Sequence, residues 1–99
     1  MIERYVFIKL SDAHATDAGR AEVIAKTRDA LAAIPGVQGV TVGAPADEAS
    51  RASWDVSIAV RFARLEDVAT YRDHPAHRAY VDEFLAPRAE VIKAWNFEV

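Results

Sequence analysis

The chain has no cysteine in its 99 residues, which excludes disulfides and thiolate metal sites. Glycine is sparse: the four present, Gly19, Gly36, Gly39 and Gly43, form no phosphate-cradling pattern. No serine or cysteine nucleophile motif occurs. A surplus of positive charge is missing too. Twelve Lys and Arg against 15 Asp and Glu leave a net charge of −3, and the basic residues are scattered, so nucleic acid is not an expected partner. No apolar run approaches the ~20 residues of a membrane span. Charges at Glu3, Arg4 and Lys9 interrupt what would have to be the apolar core of a signal peptide. A soluble, cytoplasmic protein is the expectation.

What is present is an apolar fraction of 52%, ample for one domain over residues 1–99. A domain this small buries a modest share of its surface, so a partner subunit helps it. Ile2 to Leu10 alternates and reads as a strand, with Ile2, Arg4, Val6, Ile8 and Leu10 on one face and Glu3, Tyr5, Phe7 and Lys9 on the other. Thr16 is an N-cap for a helix reaching about Ile34, with Ala21, Ile24, Arg28, Leu31 and Ile34 as its inner stripe, stopped by Pro35-Gly36. Val37 to Ala44 reads as a second strand and Pro45 to Ser53 as a polar loop. Trp54 to Phe62 is a third strand, with Trp54, Val56, Ile58, Val60 and Phe62 on one face. Leu65 to Asp73 and Pro75 to about Arg88 read as two helical pieces. Val91 to Val99 closes the chain as a strand with Val91, Lys93, Trp95, Phe97 and Val99 on one face.

That order is β-α-β twice over, the second helix broken in two. It predicts an α+β, ferredoxin-like (split βαβ) subunit: a four-stranded antiparallel sheet with helices on one face. The uncovered face would carry Tyr5, Phe7, Ser57, Ala59, Ile92 and Ala94, with charged residues near the strand ends. An apolar centre with a charged rim reads as a subunit interface, so a homodimer joined sheet to sheet is expected.

The most informative stretch is Tyr71-Arg72-Asp73-His74-Pro75-Ala76-His77. Proline fixes its own φ and drives the preceding residue to an extended conformation, so His74 should stand at the start of the helix that Pro75 opens. His77 lies inside that helix and shares its apolar face with Tyr80, Val81, Phe84 and Leu85. It is the candidate general base, since imidazole titrates near neutral pH. Tyr71 is its candidate partner, with Val68 and Leu65 on the inner side of the preceding helix. A ligand pocket between helices and sheet would be lined by Arg4, Ile24, Val56, Ile58, His74, Tyr80 and Phe84. Arg4 is unusual among apolar neighbours: it either leans into solvent or needs a partner such as Asp73, Glu98 or a ligand carboxylate. Against those functional readings stand plain ones, in which His77 is a core histidine and His74 a cap. His74 and His77 are three apart but lack a third ligand, so no metal and no other cofactor is expected.

These residues resemble those of the stress-responsive dimeric α/β-barrel domain family, Dabb. The resemblance runs through Tyr5–Leu10, Ile34-Pro35-Gly36-Val37, Asp55–Phe62 with Leu65-Glu66, the Tyr71–His77 element and Val91–Val99. It implies a ferredoxin-like subunit that pairs through its sheet into a closed barrel. One similar member, a plant olivetolic acid cyclase, closes a polyketide by aldol chemistry, and its catalytic tyrosine and histidine fall on Tyr71 and His77. Its pocket histidines on the first and third strands are replaced here by Arg4 and Val56. The leading expectation is a homodimeric stress-responsive domain with a pocket for a small apolar or aromatic molecule and no established catalysis. The alternatives are a cyclase-like carbon-acid enzyme using His77 and Tyr71, and a cofactor-free monooxygenase-like or haem-binding barrel protein.

Overall fold

The computed structural model describes all of residues 1–99. Strand β1 (Ile2–Leu10) is followed by helix α1 (Asp17–Ala32), strand β2 (Gly39–Gly43), helix α2 (Glu48–Ser53) and strand β3 (Val56–Phe62). Helix α3 (Leu65–Asp73), helix α4 (Pro75–Ala79), which runs on as a π-helical segment over Tyr80–Leu85, and strand β4 (Ala89–Glu98) complete the chain. The sheet is antiparallel in the order β2-β3-β1-β4, with the helical layer on one side. This is the ferredoxin-like arrangement.

The core lies between that layer and the sheet. Ile2, Ile8 and Leu10 from β1 and Val56, Ile58, Val60 and Phe62 from β3 meet Val23, Leu31, Val68, Tyr71, Tyr80 and Leu85 from the helices. The Thr16 hydroxyl accepts from the Gly19 N–H at 3.0 Å and caps α1. Gly19 is required there because a Cβ would fall 1.9 Å from the His14 carbonyl oxygen. After α1 the chain reverses at Gly36, whose φ of +92° suits glycine alone.

Several local expectations are corrected. The buried line of α1 is Arg20, Val23, Thr27 and Leu31, turned by one residue from the expected stripe, so Arg28 is exposed and Ile24 only half-buried. Two polar anchors set this rotation. Arg20 Nε donates to Asp55 Oδ1 at 3.0 Å, and the Thr27 and Tyr80 hydroxyls are hydrogen-bonded to each other. Residues 48–53 form a short helix rather than loop, capped by the Asp47 carboxylate, which accepts from the Ser50 N–H at 2.8 Å. Strand β3 begins at Val56, not Trp54. Asp55 turns inward to the Arg20 pair, and Trp54 packs instead against Phe7, ring centroids 5.7 Å apart.

The most consequential correction concerns β4. Ile92 and Ala94 pair with Ile8 and Val6. Directly opposed residues share a sheet face, so both point to the helical side and not to the bare one, although on this edge strand they stay exposed. Trp95 and Phe97, opposite Tyr5 and Glu3, take the bare face instead. There Tyr5 and Phe97 stack edge-on at 5.8 Å, and Phe7 meets Trp95 at 6.2 Å. Trp95 is 48% and Phe97 54% exposed, an apolar expanse too large for an ordinary solvated sheet face.

Asp55 joins three elements at once: its carboxylate accepts from Arg20 and from the Leu10 N–H at 2.7 Å, and its own N–H donates to the Ile8 carbonyl at 2.8 Å. Asp55→Ala leaves the buried Arg20 guanidinium with only the exposed Asp17 carboxylate at 3.2 Å and the Ala15 carbonyl, leaves the Leu10 N–H without its acceptor, and should cost about 3–5 kcal/mol in urea unfolding. Arg20→Met combined with Asp55→Leu should recover the part of that loss due to the buried charge, the Leu10 N–H still lacking its acceptor. A single-variant loss below about 1 kcal/mol, the size of a surface pair, contradicts this role.

Candidate functional site

Between the helices and the sheet lies a cavity of about 180 Å³. The sheet contributes Arg4, Val6, Ile58, Ile92 and Ala94 and α1 contributes Leu31. Tyr71 comes from α3, His77 from α4, and Tyr80, Val81 and Leu85 from the π-helical segment. The lining is mostly apolar, with four groups that carry chemistry: an imidazole, two phenols and a guanidinium.

The local fold explains how they meet. His74 is extended (φ −61°, ψ 135°) before Pro75, and its Nδ1 accepts from the Ala76 N–H at 3.0 Å, capping α4. The break between α3 and α4 brings the Tyr71 and His77 rings to 4.4 Å between centroids. Beyond α4 the helix widens, and the Ala86 N–H donates to the Val81 carbonyl at 2.8 Å, five residues back. Residues five apart then fall on one side, so Tyr80 and Leu85 are both buried and both reach the cavity.

His77 Nδ1 lies 3.1 Å from the Arg72 carbonyl oxygen. A carbonyl only accepts, so Nδ1 carries the hydrogen and Nε2 is the free basic nitrogen of the neutral ring. Burial lowers the His77 pKa below its usual 6.5; the bond to the Arg72 carbonyl opposes this, while the Arg4, Arg72 and Arg78 charges reinforce it. Burial raises the Tyr71 phenol well above its ordinary range, with Arg4 opposing and Tyr80 adding to the rise. Tyr71 therefore stays protonated, a donor rather than an anion. Arg4 is half-buried, and its guanidinium donates to Asn96 Oδ1 at 2.9 Å.

Of the residues expected at the pocket, Arg4, Ile58, Tyr71, His77 and Tyr80 line this cavity. Four lie elsewhere. Ile24 borders a surface dent with Ala21 and Pro45. Val56, 1% exposed, is core at the far end of β3. His74 is occupied as a cap. Phe84 stacks on Tyr80 and lies beneath the Arg88 guanidinium, 4.0 Å from its ring. Leu65, expected inward with Tyr71, is 56% exposed. Ile92 and Ala94 join the lining for the reason of register given above. Val6, Leu31, Val81 and Leu85 were unassigned to the site. All four stood on inward faces already read, Val6 on β1, Leu31 on α1 and Val81 and Leu85 beside His77, although the π turn that aligns Tyr80 with Leu85 leaves no mark in the periodicity.

No three His, Cys, Asp or Glu side chains cluster as a metal site would require, and no helix is long and apolar enough to cross a membrane.

No curated protein matches this sequence. Among solved structures, a Dabb family protein with a ferredoxin-like fold from Mesorhizobium loti is similar at a TM-score of 0.83 and 21% identity, over 99% of this chain and 95% of that one. A dimeric ferredoxin-like protein of unknown function from Thermobifida fusca has a TM-score of 0.82 at 24% identity, over 99% of this chain and 90% of the other. A hydroxynitrile lyase from Passiflora edulis reaches 0.80 at 16% identity, over 99% and 92% of the two chains. Identities this low establish a common fold and nothing more. The family model of the stress responsive A/B barrel domain matches residues 2–99, and the chain thus belongs to the Dabb family.

Proposed function

We propose that the cavity binds a small, largely apolar molecule and that His77 takes a proton from it, in a chain that works as a homodimer. The observation carrying this reading is the bond between His77 Nδ1 and the Arg72 carbonyl, which leaves Nε2 unprotonated beside the Tyr71 phenol. A carbon flanked by carbonyl groups is the fitting proton source. Nε2 takes its proton, the electron pair moves onto the carbonyl oxygen as an enolate, and the Tyr71 O–H donates to that oxygen. The enolate carbon then bonds to a carbonyl carbon further along the same molecule, whose oxygen recovers the proton from the imidazolium. This is an intramolecular aldol closure, and a cavity of about 180 Å³ limits it to a short polyketone.

The homodimer reading rests on the bare sheet face. Tyr5, Phe7, Trp95 and Phe97 form an aromatic expanse with the Glu3–Arg61 ion pair (2.9 Å) among its charges, the composition of a subunit interface. Similar proteins from Bacteroides fragilis and Thermobifida fusca are described as dimeric. The family description further suggests a part in the response to stress.

With a poly-β-keto N-acetylcysteamine thioester, His77→Ala should reduce cyclisation by about 10²–10⁴-fold; turnover equal to the parent's, or none in the parent, ends the catalytic reading. Because the His77 pKa is lowered, the neutral base persists below pH 6.5. An imidazole NMR titration should give a midpoint under that value, and the acid limb of kcat/KM should fall at the same pH. A midpoint at or above 6.5 contradicts the buried, carbonyl-bonded ring. For the interface, Phe7→Asp or Trp95→Asp should convert a sedimenting dimer into monomers of 10.9 kDa or aggregates, and an intact dimer of either variant would falsify sheet-to-sheet pairing.

A further inference from the structure

We propose that the ligand of the cavity is an acid, whose carboxylate seats on Arg4. This rests on the reading of the cavity as a small-molecule site and names the class of molecule it takes.

Arg4 occupies an inward position on β1, in line with Ile2 and Val6, and lines the cavity near its open edge, where the guanidinium meets the exposed Asn96. Arg20, Arg61, Arg64, Arg78 and Arg88 each have a carboxylate within 4 Å. The arginines without one are exposed, except Arg4, which is half-buried. Its one hydrogen bond goes to a neutral amide, Asn96 Oδ1. Neither Asp73 nor Glu98 pairs with it, and no aspartate or glutamate lines the cavity at all. A guanidinium has five N–H donors in a rigid fork. With one committed to Asn96, a parallel pair remains for the two oxygens of a carboxylate.

Holding a cation in such a place without a counter-ion costs stability, and a bound anion removes that cost. The rest of the wall suits an acid with an apolar body: Val6, Leu31, Ile58 and Leu85 surround it, and the Tyr71 hydroxyl supplies one neutral donor. A small aromatic or polyketide acid anchored at Arg4 presents its carbon skeleton to His77. Charge then sorts the ligands, with free acids held more tightly than neutral esters or amides of the same shape.

The test compares sodium benzoate with benzamide, an isosteric neutral, by calorimetric titration and by NMR shifts of the His77 imidazole and Ala94 methyl. Benzoate should bind the parent protein about tenfold or more tightly than benzamide. Its affinity should weaken as salt rises, and benzamide's should not. Arg4→Met should remove benzoate's advantage while leaving benzamide within about twofold, and Arg4→Lys should restore part of it. Should Arg4→Met fail to fold, the salt dependence and the benzoate-to-benzamide ratio of the parent decide alone. Equal affinity for the two probes, with shifts at His77 and Ala94, overturns the acid preference and leaves the cavity reading standing. Absence of any shift with either probe overturns both.

Discussion

Hydrogen bonding along both edges of β1 determines which side chains of this protein can meet. β1 is paired with β3 on one side and β4 on the other, so it can neither slip nor rotate without breaking two ladders. Its alternation therefore propagates. Arg4 and Val6 face the helices, Ile58 of β3 and Ala94 of β4 face with Val6, and Tyr5, Phe7 and their cross-strand neighbours face away. A one-residue shift would exchange the cavity floor for the aromatic face.

The helical layer is set against this sheet by a few polar contacts rather than by apolar packing alone. Arg20 and Asp55 tie the start of α1 to the ends of β1 and β3, and Thr27 holds Tyr80 in its buried place. Arg88 closes the end of the π-helical segment, donating to the Phe84 carbonyl at 2.9 Å and to Glu22 at 3.0 Å. Hydrophobic burial is non-directional. These bonds add the direction, choosing the face that α1 turns inward and the residues that the widened turn lowers onto the sheet.

Much of the fold was legible from alternation and punctuation. β1 alternates at both its ends, Pro35-Gly36 stops α1, and Pro75 separates α3 from α4. Tyr71 and His77 were legible as a pair from the inward faces read for their two helical pieces and from the family resemblance. What was not legible depends on long-range pairing. The parity of β4 cannot be read from Val91–Val99 alone, since both its faces carry apolar residues, and Lys93 beside Trp95 was the one sign against an inward face. Trp54 misled because alternation was carried through Asp55, whose buried partner Arg20 lies 35 residues away in the chain. The partner of Arg4 was equally remote: Asn96, brought alongside by the β1–β4 register.

The cavity and the aromatic face lie on opposite sides of a single sheet, and this makes the sheet a partition. Two subunits that join through their bare faces keep their cavities on the outside of the pair, with two layers of strands between them, about 10 Å apart. The cavity wall of one chain is then complete without its partner, and the aromatic face is free to be buried without occupying it.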